Sequence, residues 1–493
     1  MSKGYREWTA MQSYLMPPSP TEWLPPGHLA FFVIDVVESL DISEIERAVQ
    51  AKDWRGERPY PPRLMVALLL YGYATGVVSS RRIARATHED VAFRVIAGEA
   101  HPSFTTINQF RLDHLGAFRK LFAEVLRLCR RAGLVSLGNV AIDGTKIKAN
   151  ASKRKAMSYD RMQQSETRLA QEVDEILARA AEADAAEDAQ YGAGQTHEDL
   201  PAELHRREDR LARIRQLKAE LEQEAAQARA DELRANAEAL RDKADDPAVP
   251  ARERAAAATR ADNSDAKADD LDDNDDPPPS DDSDLPHHRV PTTKEGTPTP
   301  KAQRNFTDAE SRIMVHDGAF VQAYNAHAAV DELNQIIVAE AVTNQPPDVE
   351  HLVPLLHRTI ENCDDIPDCL TADAAYFSES NIRAVEHYGC DPYIPVDRQR
   401  RSTNEEPPKA STPMREQMRA KLAAPTGKAI YARRKCIVEP VFGQIKGARG
   451  FRRFSLRGRF KAAAEWTFVC LTHNLLKLFR AAGRRQMTAA AAA

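Results

Sequence analysis

Between Ala319 and Val396 the hydrophobic period changes several times, and this restricts the fold more than any other feature of the chain. GAFVQAYNAHAAVD and QIIVAEAVT alternate or run apolar as two strands joined by DELN, and DVEHLVPLLHRTI then takes helical spacing. CLTADAAYF reads as a strand ending at Asp373, ESNIRAVEHYG as a helix capped by Ser378 or Ser380, and Pro392 to Val396 as a last short strand. Upstream, NVAIDGTKIKAN supplies one more strand: Val140, Ile142 and Ile147 flank an Asp-Gly-Thr turn, so Asp143 stands at or just past a strand end, although a plain hairpin turn explains Asp-Gly as well. The order strand, strand, strand, helix, strand, helix, strand, helix requires an α/β mixed sheet with helices on its faces.

A long insertion separates the first strand from the rest. Residues 153–245 are rich in Ala, Glu, Arg and Gln, with Leu211, Ile214 and Leu221 near heptad spacing, and read as a helical hairpin or short coiled coil weakened by Lys218 at an apolar position. Residues 246–302 combine Pro with an Asp run at 262–284 and read as an acidic disordered linker. The expected organisation is an N-terminal extension (1–28), a helical region (29–136), a mixed-sheet domain (137–152 and 303–482) split by the insertion, and a disordered tail (483–493). Within the helical region, SSRRIARATHEDVAFRVI and PSFTTINQFRLDHLG suggest a helix-turn-helix with Ser103 or Thr105 as N-cap. Thr105, Thr106, Asn108, Gln109 and Arg111 would then face DNA, whereas an all-helical packing domain with a polar surface is the alternative.

The net charge of −5 conceals segregation: nine Lys or Arg residues fall between Tyr431 and Arg459, around the single acid Glu439. Ile437, Val438, Val441 and Ile445 form an apolar stripe there, with Pro440 expected to kink or begin the helix. The six cysteines contain no C-x-x-C pair, which argues against a zinc ribbon or disulfide framework. No basic-then-apolar leader occurs, and no stretch approaches the ~18 apolar residues of a membrane span, so a cytoplasmic protein is expected.

Asp143, Asp373 and Glu439 come from three separate elements and could converge across the sheet. Hard carboxylate oxygens suit Mg²⁺ or Mn²⁺, which can activate a hydroxyl and stabilise the leaving oxygen of a phosphodiester. Asp308, Asp317, Asp331 and Asp348 are lesser candidates because none ends a strand in a comparable motif. The basic residues around Glu439 would bind phosphates.

With DGTK at Asp143–Lys146, ADAAY at Ala372–Tyr376 and EPVFGQIK at Glu439–Lys446, the chain resembles the DDE transposases of bacterial insertion sequences. The likeness extends to YNAHAAVDE, VTNQPPD and GFRRFSLRG through HNLLKL, and is weakest across 156–302. It implies an RNase H-like catalytic domain in which Asp143, Asp373 and Glu439 are the catalytic, metal-binding residues. Lys446 matches the lysine that contacts DNA near the cleaved end. In the wider Y-x-x-R-x-x-x-E signature, Lys435 stands where Arg is expected and Tyr431 lies one residue too far upstream; Arg434 is the alternative to Lys435. Lys146, Arg449, Arg452, Arg453 and Arg457 complete the DNA-binding candidates. The implied reaction is hydrolysis at terminal inverted repeats followed by attack of the freed 3′-hydroxyl on target DNA. The expected partners are double-stranded DNA and a second copy of the chain bound with it. A repeat-binding protein without catalysis and a metal-dependent nuclease without strand transfer are the alternatives.

Overall fold

The computed structural model describes residues 22–51, 58–191, 202–271, 288–316, 318–397 and 412–492, together with Ser19, Leu285 and Pro286. Seven helices come first: α1 (Leu29–Ser39), α2 (Ser43–Gln50), α3 (Pro62–Thr75), α4 (Ser80–Glu89), α5 (Val91–Ala97), α6 (Phe104–Asp113) and α7 (Ala117–Arg131). The segment expected as one leading helix of a helix-turn-helix is two, α4 and α5. Asp90 divides them because its extended backbone ends α4 while its carboxylate accepts from the amides of Ala92 (2.9 Å) and Phe93 (3.1 Å), capping α5. Ser103 caps α6 in the same way, accepting from Thr106 N at 3.1 Å.

β1 (Asn139–Lys148) opens the sheet and is followed by the insertion: β2 (Ala156–Ser158), α8 (Tyr159–Tyr191), α9 (Ala202–Asp245), α10 (Ala251–Asp269) and β3 (Gln303–Asn305), with β2 and β3 paired antiparallel. The disordered reading of 246–302 is corrected over 251–269, which is helical. Ala257, Ala261 and Ala268 are buried there, and small side chains let α10 lie against α9 while Arg241–Asp265 and Arg234–Asp269 pairs flank the contact. Most of the Asp run beyond Leu271 lies outside the described residues. Leu211, Ile214, Leu217 and Leu221 form the buried stripe of α9; Lys218 sits beside it and pairs with Glu166 of α8 at 3.0 Å, so it strengthens the hairpin rather than interrupting it.

The sheet continues with β4 (Arg312–His316), β5 (Ala319–Asp331), β6 (Ile337–Thr343), α11 (Leu352–Cys363), β7 (Cys369–Ala372), α12 (Glu379–His387) and β8 (Asp391–Tyr393). Its path is β4-β5-β1-β7-β8, with β6 also paired to β5. β1 is thus central, antiparallel to β5 and parallel to β7. α13 (Pro413–Ala423), α14 (Pro425–Gly443), a π-helical turn (Gln444–Ala448) and α15 (Arg459–Ala492) close the chain. The tail expected to be disordered from 483 continues α15. From Ala462 to Leu475 that helix is buried on nearly every side, because the N-terminal helices cover one flank and the sheet the other, giving one continuous core. Asn474 also protects the sheet edge, accepting from Ile337 N and donating to Ile337 O, both at 2.8 Å.

Among the described residues no single helix is long and apolar enough to cross a membrane.

Candidate active site

Asp143 is not at a strand end: β1 runs on through Lys148, and Asp-Gly-Thr makes no turn. Gly144 instead meets a spatial need, since a Cβ there would stand 3.0 Å from two atoms of the His327 ring opposite it on β5. The parallel register places Ile142 against Ala372, so the next residues, Asp143 and Asp373, emerge side by side from the two central strands. Asp373 uses its carboxylate to cap the following turn, accepting from Ala375 N at 2.9 Å.

α14 crosses this part of the sheet and sends Arg434 into it; Nη1 donates to Asp143 Oδ2 at 3.0 Å. Burial, together with the Asp373 charge, outweighs the attraction of Arg434 and lifts Asp143 from 3.8 to about 6. Burial acts against the Arg434 guanidinium too, but the Asp143, Tyr431 and Asp373 charges hold it above its ordinary value. Tyr431 lies under the guanidinium with its ring centroid 6.0 Å away. Arg434, rather than Lys435, is the cation that reaches the acids; Lys435 is exposed.

The helix does not begin at Pro440 but runs through it to Gly443. The carbonyl of Cys436, which the proline cannot serve, accepts from Gln335 Nε2 at 2.9 Å. Glu439 is exposed on this helix, and Lys446 is half-buried in the π-turn that follows. The structure brings two of the three candidate acids together; among the described residues no group of three His, Cys, Asp or Glu side chains is placed to hold a cation. Of the lesser acids, Asp308 accepts from Tyr324 Oη (2.7 Å) and Gly458 N (3.2 Å), and Asp331 from Leu137 N (2.8 Å) and Leu333 N (3.0 Å), so both serve structure. Asp317 lies outside the described residues.

The raised Asp143 carboxyl gives a pH signature. Between its unfolded value near 3.8 and its folded value of about 6, the folded chain retains a proton that the unfolded chain has released. Folding stability from this group therefore falls as pH rises through that window. Melting temperatures of the parent and of Asp143→Asn measured from pH 4 to 7 should show this component in the parent and its loss in the variant; parallel curves would exclude the shift.

Four cations assigned to DNA from the sequence are internal. Arg434 pairs with Asp143. Arg111 is buried with Nη1 on Tyr73 Oη (2.9 Å), Arg449 is buried with Nη1 on Thr472 Oγ1 (2.8 Å), and Lys146 donates to Pro346 O (2.9 Å) and Asp348 Oδ1 (3.1 Å). A guanidinium or ammonium removed from water needs partners, and each has found them inside the fold. Arg452, Arg453 and Arg457 are exposed on the loop after the π-turn, as are Thr106 and Gln109 on α6, where Gln109 donates to Asp113.

Of the polar cluster on the other face of β1, sequence reasoning weighed Asp348 alone. His327 Nδ1 lies 2.7 Å from Tyr376 Oη, its ring packs against His351, and Asn325 donates to Asp348 Oδ1 at 2.6 Å. Burial, with the nearby His351 and Lys146, keeps His327 well below its usual pKa, hence neutral. The available signal was two polar residues, Asn325 and His327, at alternate positions on one face of β5 and separated by alanine.

A mixed sheet of this order, with two acids leaving its central parallel pair, defines an RNase H-like DDE domain. Residues 284–475 match the family model of a transposase DDE domain, and residues 19–113 that of a transposase domain designated DUF772. The chain belongs to the DDE-type transposases of the insertion-sequence kind, enzymes that act on DNA. No curated protein and no solved structure is similar enough to the chain to count as a match.

Proposed function

We propose that this transposase binds the terminal inverted repeats of an insertion sequence and performs metal-dependent strand cleavage and strand transfer. The observation that carries the reading is the pairing of Asp143 and Asp373 on adjacent central strands, with a cationic side chain already drawn onto Asp143. The guanidinium marks a position where positive charge is stabilised, and two hard carboxylates fit Mg²⁺ or Mn²⁺. Asp143, Asp373 and Glu439 would hold the metal, Glu439 coming from the same helix that brings Arg434 to Asp143. The bound metal would polarise the scissile phosphodiester and lower the pKa of the attacking hydroxyl.

The chain's own residues supply binding and orientation. Arg434 aims Asp143 and offsets part of the burial that raises its carboxyl, Lys435 and Lys446 extend positive charge along the helix, and Arg452, Arg453 and Arg457 grip the phosphate backbone. The substrate is double-stranded DNA, end and target, engaged by two copies of the chain in the cytoplasm. Incubating the purified chain with a duplex carrying the element's end and Mg²⁺ tests this. Joined products are expected; nicking alone would indicate a nuclease, and binding alone a catalytically silent repeat binder.

Replacing Arg452, Arg453 and Arg457 by Ala should weaken binding to any duplex and lower the log–log salt slope by about one unit for each phosphate no longer neutralised. Fluorescence anisotropy titrations at several salt concentrations measure both. An unchanged slope in the triple variant would remove the loop from the interface.

A further inference from the structure

Arg111, displaced from the DNA surface, belongs to a buried network that reaches the basic loop. Glu465 on α15 is 1% exposed and Arg111 on α6 is 5% exposed, and two hydroxyls join them. Tyr73 Oη on α3 accepts from Arg111 Nη1 and donates to Glu465 Oε1, each at 2.9 Å. Ser455 Oγ accepts from Arg111 Nη1 at 3.2 Å and donates to the same Glu465 oxygen. The second carboxylate oxygen accepts the backbone amides of Ser455 (2.8 Å) and Leu456 (3.1 Å). Glu465 thus has four donors, all from the loop or from α3, and its burial is compensated by a cation on α6.

The loop it grips carries the three exposed arginines. Its strand-like part bridges Lys148 of β1 through Arg453, with Phe454 N donating to Lys148 O at 2.9 Å. Asn150 then binds both Ser455 O (2.7 Å) and, through its own carbonyl, Arg457 Nε (3.1 Å). The same α6 that contributes Arg111 bears the exposed Thr106 and Gln109.

We propose that Tyr73, Arg111 and Glu465 are positioning residues that lock α6 and the Phe451–Gly458 loop into one rigid DNA-binding surface, fixing the spacing between the two sets of DNA-facing side chains. This rests on the reading of that loop as a phosphate-binding element. A buried ionic network costs desolvation, and apolar packing would hold two segments together without it; what hydroxyl-bridged charges add is a single register.

The test uses the full chain, a mixed-sequence DNA duplex, and the salt dependence of binding. Tyr73→Phe removes one bridge while keeping the ring, and Ser455→Ala removes the other. Each should weaken binding roughly three- to tenfold and lower the salt slope by about one unit, the scale of a single phosphate interaction, with near-UV circular dichroism unchanged. In an Arg452, Arg453, Arg457→Ala background, Tyr73→Phe should cause no further fall in slope, because the charged side chains it positions have already been removed and Thr106 and Gln109 carry no charge. A parent-like slope in folded Tyr73→Phe and Ser455→Ala overturns the proposal, as does an undiminished additional fall in the triple background. If Tyr73→Phe does not fold, Ser455→Ala decides alone by the same criteria. If the triple variant itself keeps the parent slope, the phosphate-binding reading fails and takes this proposal with it; if only the bridge variants keep it, the positioning role alone fails.

Discussion

Asp143→Asn and Asp373→Asn should each lower Mg²⁺-dependent strand cleavage on the order of 10³-fold, since a metal's charge stabilisation is worth several kcal/mol and about 4 kcal/mol corresponds to that factor. Duplex affinity should stay close to the parent value, because the arginines proposed to grip phosphate are on a different segment. Glu439→Gln should behave in the same way, as it keeps size and hydrogen bonding but loses a charged ligand. Gel assays of end cleavage paired with anisotropy measure the two effects separately. Normal cleavage by Glu439→Gln would show that this exposed acid is a surface residue and that only the two aspartates of the proposed triad act in the site.

Trp466→Ala should be the most damaging single change to stability, at about 3–5 kcal/mol. The side chain is fully buried, donates from Nε1 to His327 O at 2.9 Å, and lies between the rings of Phe442 and Phe451, each with centroids 6.4 Å away. It therefore ties α15 to the strand behind Gly144, to the helix of Glu439 and to the start of the basic loop. Denaturant unfolding followed by circular dichroism measures the loss, and a cost below about 1 kcal/mol would mean that the cavity collapses at little expense. Trp466→Phe, which keeps most of the ring and gives up the hydrogen bond, should cost less, on the order of 1–2 kcal/mol.

Much of the sheet was legible because strand and helix periods are local properties. The two long strands, the turn DELN, and the N-caps Ser103 and Ser378 follow from patterns spanning a few residues. β4 was missed: Arg312–His316 is short, its exposed Val315 faces the equally exposed Phe320 across the hairpin, and its buried face pairs Met314 with a charged residue, Arg312, so no apolar alternation marks it. α10 was missed for another reason. Its Asp-rich, Ala-rich composition has too little apolar surface to fold alone, and it becomes ordered only against the matching alanines of α9.

The sequence by itself determined the order of the long strands and helices of the sheet, the long insertion after its first strand, and the three motifs that carry the family resemblance. Tertiary structure decided the fate of the charges. Arg111, Arg434, Arg449 and Lys146 look alike in composition to Arg452, Arg453 and Arg457, yet the first group is internal and the last exposed. Whether an arginine can leave water depends on a compensating oxygen close by. Those oxygens belong to residues remote in sequence: Asp143 for Arg434, Tyr73 and Ser455 for Arg111. Only the folding of β1, α3 and the basic loop onto one another brings them within reach, and no local pattern in the chain encodes that distance.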